Sequence, residues 1–194
     1  MNQEYHRLLS DSSFIAELHA WEEEQGEELR AKGCQHDCAG KLDRAYYPRQ
    51  ARGFGAELSS SQKRRVSFCC REEGCRKRHT PKSLLYLRHK AYSFVGVMLT
   101  LCLRSGRKPE VTLRKARCLC NASEATVRRW KGWMLKFLGS PAWKLLRTRL
   151  DARFSEERFP LSLLESTCSA DSELPRAITN MLCFVSLLSI ERIT

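Results

Sequence analysis

Five cysteines in two groups have spacings that suit the binding of one metal ion. Cys34 and Cys38 flank the residues "QHD", and the later run "FCCREEGC" contains Cys69, Cys70 and Cys75. Thiolates are good zinc ligands, and in a zinc ribbon two tight turns each deliver two of them to one tetrahedral ion. We therefore predict a Zn²⁺ site formed by Cys34, Cys38, Cys70 and Cys75.

The ligand set has open alternatives in both halves of this site. Cys69 is an alternative to Cys70, although Cys70 makes the tighter loop to Cys75. His36 could replace a cysteine in the first half, and His79 could do so in the second. The other interpretation is that these are incidental thiols. Disulfides are disfavoured in an intracellular protein.

Residues 34–80 have few apolar side chains to form a core, so a metal ion would supply stability that this segment needs. The remaining cysteines have no paired spacing, and we interpret them as packing residues. They are Cys102, Cys118, Cys120, Cys168 and Cys183.

The positive charge of the chain is concentrated in its middle. Residues 63–150 hold 23 Lys/Arg against 4 Asp/Glu, whereas residues 1–62 hold 7 against 11 and residues 151–194 hold 4 against 7. Solubility does not require one sign of charge to be so concentrated, so we expect a polyanionic partner, nucleic acid above all. An anionic membrane or an acidic protein is the alternative.

The run "VTLRKARCLCNASEATVRRWKGWMLKFL", residues 111–138, is typical of a helix–turn–helix. Ser123 is a plausible N-cap of the second helix, and its inner face would hold Val127, Trp130, Met134 and Leu138. The outer face would hold Ala125, Arg128, Arg129, Gly132 and Lys136. Arginines in the first turns of such a helix can pair with guanine in the major groove. An ordinary amphipathic helix pair is the other interpretation.

The candidate DNA contacts are polar or basic side chains in three places. The second helix offers Ser123, Thr126, Arg128, Arg129 and Lys136, and the preceding helix offers Arg114, Lys115 and Arg117. The metal segment adds Lys63, Arg64, Arg65, Arg76, Lys77 and Arg78. Those outside the second helix would touch phosphates, which gives affinity without sequence choice.

The predicted fold is mainly α, with a small loop-rich zinc ribbon of short β-strands packed on a helical helix–turn–helix domain. Four segments are expected: an acidic helical segment (1–33), the zinc ribbon (34–80), a basic helical domain (81–154, with the helix–turn–helix at 112–138) and a C-terminal helical segment (155–194). Helices are predicted over 11–31, 81–103, 112–119, 124–138, 141–154, 160–165 and 176–190. Ser12 or Ser13 would cap the first, and "EEEQGEEL" would form its acidic outer face.

No catalytic constellation stands out in the sequence. The basic middle holds only Glu72, Glu73, Glu110 and Glu124 as carboxylates, which do not resemble a metal-dependent nuclease core. Nucleophile and phosphate-loop motifs are also missing. We therefore do not expect this protein to be an enzyme. The absence of a signal-peptide pattern and of a long apolar run predicts a cytoplasmic, nucleoid-associated protein.

Three stretches, "CAGKLDRAYYPRQARG", "SFCCREEGCRKRHTPKS" and "ATVRRWKGWM", resemble a group of bacterial proteins found with mobile genetic elements. Proteins of that group have a transposase-like zinc ribbon followed by a helix–turn–helix. The resemblance covers roughly residues 34–165 and implies DNA binding connected with transposition or recombination.

Together these features predict a zinc-containing accessory protein that binds double-stranded DNA and assists a transposase or recombinase. One alternative is a transcriptional regulator with the same parts, binding a palindrome as a homodimer. Another is a structural adaptor whose basic face binds RNA or an acidic protein.

Overall fold

The computed structural model describes residues 2–48, 50–87, 92–105, 119–148, 150, 154–168 and 173–188. Its helices are α1 (Asn2–Ser10), α2 (Ser12–Lys32), α3 (Phe94–Arg104), α4 (Glu124–Leu138), α5 (Pro141–Arg147), α6 (Leu161–Thr167) and α7 (Leu174–Leu188). Its strands are β1 (Leu42–Arg44), β2 (Tyr47–Pro48), β3 (Arg64–Arg65), β4 (Phe68–Cys70) and β5 (Arg78–His79). The fold is mainly α with a small β part, as the sequence predicts.

The main core surrounds α3, whose apolar side chains are buried on nearly every side. Val97, Met98 and Leu99 are fully enclosed, and the same cluster takes in side chains of α1, α2, α4, α6 and α7. The two ends of the chain therefore share one core with its central helices.

The β part has a separate, smaller core. Strands β1, β4 and β5 form an antiparallel sheet in which Leu42 lies opposite Cys70 and Phe68 lies opposite His79. Strands β2 and β3 form a second antiparallel pair. Because side chains alternate along a strand, Phe68 and Cys70 are buried while Cys69 between them is partly exposed.

Helix α2 joins the two cores. At Gly26 the helix lies so close to the β part that a Cβ would be 3.0 Å from Val66, a tight contact that favours glycine at this position. Four residues earlier, Glu22 is 1% exposed and lies 3.9 Å from the buried Arg65 of β3. Ser83 also donates its hydroxyl to Glu22, at 2.6 Å. The prediction that the acidic run faces solvent is therefore wrong at Glu22.

Several predicted boundaries are wrong. Helix α3 begins at Phe94 rather than at residue 81, with Ser93 as its N-cap. Residues 84–87 are not helical, although all four are buried, because an apolar run enclosed on every side fits an extended segment as well as a helix. The cap of α2 is Asp11, whose carboxylate accepts the backbone N–H groups of Ser13 and Phe14.

At the termini, α1 was not predicted, although Tyr5, Leu8 and Leu9 are buried at helical spacing. Helix α5 ends at Arg147, short of the predicted residue 154. Helices α4, α6 and α7 lie within about two residues of their predicted positions, the ordinary uncertainty of helix ends.

Candidate metal centre and basic helix

The four cysteines that the sequence analysis selects lie together. The Sγ atoms of Cys34, Cys38, Cys70 and Cys75 are all within 4.8 Å of one another. Cys34 Sγ is 3.8 Å from Cys75 Sγ, and Cys38 Sγ is 3.5 Å from Cys70 Sγ. A zinc ion with Zn–S bonds of about 2.3 Å needs tetrahedral edges of about 3.8 Å, so the four thiols fit one ion.

The first pair of thiols sits on the turn that follows α2. Gly33 ends the helix with φ +73°, and the Cys34 N–H then donates to the Gly40 carbonyl at 2.8 Å. A Cβ on Gly40 would clash with the Glu72 side chain and would lie 2.9 Å from Cys70 Sγ. Glycine at position 40 thus lets this turn pack closely against the segment that contains Cys70 and Glu72.

The second pair comes from β4 and the turn after it. Cys70 is the last residue of β4, and the Cys75 N–H donates to the Glu72 carbonyl at 3.0 Å in the turn. Arg76 has φ +46°, a left-handed conformation that directs the chain back into β5.

Backbone N–H groups also stabilise the thiolate form of three of these cysteines. The N–H of the second residue after each cysteine, namely His36, Gly40 and Glu72, donates to the sulfur of Cys34, Cys38 and Cys70. The Gly40 N–H is the main reason that the pKa of Cys38 falls to about 7.

Burial acts in the opposite direction at two of the thiols. It raises the pKa of Cys70 to about 12 and also raises that of Cys34. A divalent cation would displace these protons, because only the thiolate binds metal.

The alternate ligands lie outside this cluster. Cys69 points to the other face of β4, where its thiol is 3.4 Å from the Arg76 carbonyl. His36 stacks against His79 with ring centroids 5.3 Å apart, and its Nδ1 lies 3.4 Å from the Lys77 ammonium. His79 is buried, and its Nε2 is 3.2 Å from Cys34 Sγ. His79 is therefore placed to hydrogen-bond a ligand sulfur.

A tight turn precedes α4. Leu119 and Cys120 are helical, and residues 121–123 form the turn. Asn121 adopts φ +47°, and the Ser123 side chain caps α4 by accepting the Thr126 N–H. Residues 106–118 lie outside the described part of the chain, so the predicted first helix is described only at its end.

The two faces of α4 match the predicted pattern. Val127, Trp130 and Met134 are buried, and Leu138 is half-buried. The outward residues, all exposed, are Ala125, Arg128, Arg129, Lys131, Gly132, Leu135 and Lys136. Arg128 pairs with Glu124, while Arg129 donates to the hydroxyl of Thr126 at 3.1 Å. Thr126 is only 7% exposed, so it is not a surface contact. Its hydroxyl instead accepts the hydrogen bond that positions Arg129.

The other candidate DNA contacts divide into three groups. Lys63, Arg64, Arg76, Lys77 and Arg78 are exposed. Arg65 is 4% exposed and donates to the Pro81 carbonyl at 3.0 Å, so it is a structural residue and not a surface contact. Arg114, Lys115 and Arg117 lie outside the described residues.

The cysteines interpreted as packing residues differ in burial. Cys102 and Cys120 are buried, and burial raises the pKa of both thiols. Cys168 and Cys183 are half-buried against the main core, and Cys118 lies outside the described residues.

Comparison with protein-family models, with curated proteins and with solved structures found no match in any of the three. Within the described residues, no helix has the length and apolar character that crossing a membrane requires.

Proposed function

We propose that this chain is a zinc-stabilised protein that binds double-stranded DNA through α4. The observation that carries the DNA proposal is the outward face of α4. It presents Arg128, Arg129, Lys131 and Lys136 against the single acidic residue Glu124, at the end of a short turn. Surfaces of this charge attract the phosphate backbone, and such a helix fits the major groove.

Zinc is the metal that best fits the four thiols. Closed tetrahedral sites with four sulfur ligands hold zinc or iron, and structural sites with four cysteines are typical of zinc. The core that this ion would complete is small, consisting of Cys34, Leu42, Val66, Phe68 and Cys70. Such a core depends on the metal for its stability.

The turn before α4 supports a helix–turn–helix. Connections of this motif are short and need a residue that tolerates a left-handed conformation, and Asn121 is such a residue. Arg128 and Arg129 lie in the first two turns of α4, where recognition helices contact bases.

Further cations support the same proposal from the β part. Within the described residues, Arg64, Arg76, Lys77 and Arg78 form no ion pair with an acid, so their charges remain available for phosphates. Contacts of this kind position a protein on DNA without reading its sequence.

The biological role that we propose rests on the sequence resemblance. The protein would bind the ends or the target site of a bacterial mobile element and assist a recombinase or transposase. A transcriptional regulator would use the same parts on a promoter, and an adaptor would bind RNA instead.

The experiment is a salt titration of duplex binding by the zinc-loaded chain. Wild type is compared with Arg129→Gln/Lys136→Gln and with the control Arg7→Gln/Arg176→Gln, which removes two exposed charges from α1 and α7. We expect affinity to fall steeply with salt and the α4 variant to lower the salt slope by about 1 to 2 relative to the control.

Equal binding by all three proteins, or tighter binding of single-stranded RNA than of duplex DNA, would contradict the proposal. Comparing a random duplex with one taken from the ends of a mobile element separates sequence recognition from general attraction to phosphate.

A further inference from the structure

A concave pocket of about 400 Å³ lies where α2 ends and the first cysteine turn begins. Four basic residues line it, namely Arg30, Lys32, Lys41 and Arg71, against one acid, Asp43. Three of these four come from residues 1–62, which contain only 7 Lys/Arg in all. The acidic first third of the chain thus gathers nearly half of its positive charge at one place.

Two of the four cations have no charge partner in the described part of the chain. Arg71 makes two hydrogen bonds to the Asp43 carboxylate, at 2.7 and 3.1 Å, and Arg30 lies 3.6 Å from Glu27. Lys32 and Lys41 have no such carboxylate among the described residues. The pocket therefore has two lysine charges that no carboxylate pairs with, and these are available to a phosphate group.

Two glycines, Gly33 and Gly40, lie in the wall of the pocket between these lysines. Gly33 ends α2 with φ +73°, and a Cβ built there would lie 3.3 Å from the Gly40 carbonyl oxygen. Gly40 is buried, and the side chains of Glu72 and Cys70 fill the space where its side chain would be, so the lysine side chains and not the backbone would contact a ligand.

Arginines around the pocket also act on its one carboxylate. The pKa of Asp43 is lowered, chiefly by its hydrogen bond to Arg71, with further contributions from Arg30 and Arg76. An additional negative group would experience the same attraction that stabilises this carboxylate.

We propose that this pocket binds a phosphate group through Lys32, Lys41 and the arginines beside them. The phosphate can belong to the backbone of duplex DNA or to a small phosphorylated molecule, and we expect the DNA backbone. That choice of source rests on the proposed function, whereas the site itself does not.

The test uses the full zinc-loaded chain as wild type, as Lys32→Gln/Lys41→Gln and as the control Arg7→Gln/Arg176→Gln. One arm measures duplex affinity against salt, and the other measures binding of inorganic pyrophosphate by isothermal titration calorimetry. We expect the pocket variant to weaken duplex binding equally for all sequences and to lower the salt slope by about 1 to 2, unlike the control.

Each other outcome has a defined meaning. In one outcome, wild type binds pyrophosphate but no duplex, and the pocket variant no longer binds pyrophosphate. The pocket proposal would then stand, with a small molecule as the source of the phosphate, and the DNA proposal would fail. If wild type binds duplex but the pocket variant matches the control in both arms, the pocket proposal is overturned and the DNA proposal stands. If wild type binds neither, both are overturned.

Discussion

At the level of single residues, hydrogen-bond donors surround the sulfurs of the centre. Three of the cysteines accept an N–H group from the backbone two residues further on. Cys34 has an additional neighbour in His79, whose Nε2 lies 3.2 Å from its sulfur. Groups of this kind orient metal ligands and tune their charge.

Replacing His79 with alanine should weaken zinc binding without removing a ligand. Loss of a hydrogen bond from outside the ligand set typically costs about 10- to 100-fold in metal affinity. A competition titration with a chromogenic chelator measures the effect. His6→Ala is the control, because His6 lies in α1, outside the cysteine segment. Equal affinities for the two variants would show that the His79 ring does not act on the site.

The choice of cysteines was predictable from spacing, and the environment of His79 was not. The shorter loop to Cys75 favoured Cys70 over Cys69 as a ligand. The alternation of side chains along β4 gives the physical reason, because of these two residues only Cys70 faces Cys38. His79 lies 45 residues from Cys34 in the chain. A contact over that separation depends on the pairing of β4 with β5, which no local pattern contains.

At the level of elements, a buried ion pair connects α2 to β3 of the β part. Glu22 and Arg65 are almost fully enclosed, and removing one partner of such a pair leaves an uncompensated charge. We expect Glu22→Gln to lower the free energy of unfolding by about 3 kcal/mol in urea denaturation.

The matched control is Glu24→Gln on the exposed side of the same helix, where the change should stay within about 0.5 kcal/mol. If both variants lose the same stability, the buried pair does not hold α2 in place.

The turn before α4 is held by close contacts around Cys120. A Cβ on Gly96 of α3 would lie 2.7 Å from Cys120 Sγ and 2.9 Å from the Gly53 carbonyl oxygen. Gly96→Ala should therefore displace the turn and lower the free energy of unfolding by about 1 to 3 kcal/mol.

Gly132 gives the opposite expectation, because nothing lies within 4 Å of a Cβ at that exposed position in α4. Gly132→Ala should stabilise the protein by about 0.5 to 1 kcal/mol. Thermal unfolding of the two variants measures both effects. If Gly96→Ala leaves the free energy of unfolding unchanged, the contact between Gly96 and Cys120 does not fix the turn.

The amphipathic pattern predicted α4 well because one of its faces meets the core and the other does not. The same reasoning failed for residues 84–87, where every side chain is buried and periodicity carries no information. The same reasoning also predicted an exposed Glu22. Glu22 is instead buried beside Arg65, which lies far along the chain, so no local pattern indicates its burial.

At the level of the whole molecule, two hydrophobic clusters of unequal size give the chain two sources of stability. The large cluster joins helices from both ends of the chain, whereas the small one contains two of the four clustered cysteines. The small cluster should therefore depend on the metal and the large one should not.

Removal of zinc with EDTA should thus affect the molecule locally. We expect new trypsin cleavage sites within residues 34–80, while the far-ultraviolet circular dichroism of the helices is largely retained. Restoring Zn²⁺ should restore protection. Cooperative loss of all helical signal on chelation would mean that the two clusters form one folding unit.

The most direct test of a four-cysteine zinc site is the zinc content of the purified protein and of two serine variants at adjacent positions. The proposed site predicts one zinc per chain for wild type and for Cys69→Ser, because Cys69 faces away from the cluster. It predicts loss of zinc for Cys70→Ser, whose sulfur lies 3.5 Å from that of Cys38. Folded wild type without zinc, or loss of zinc in Cys69→Ser alone, would contradict the assignment.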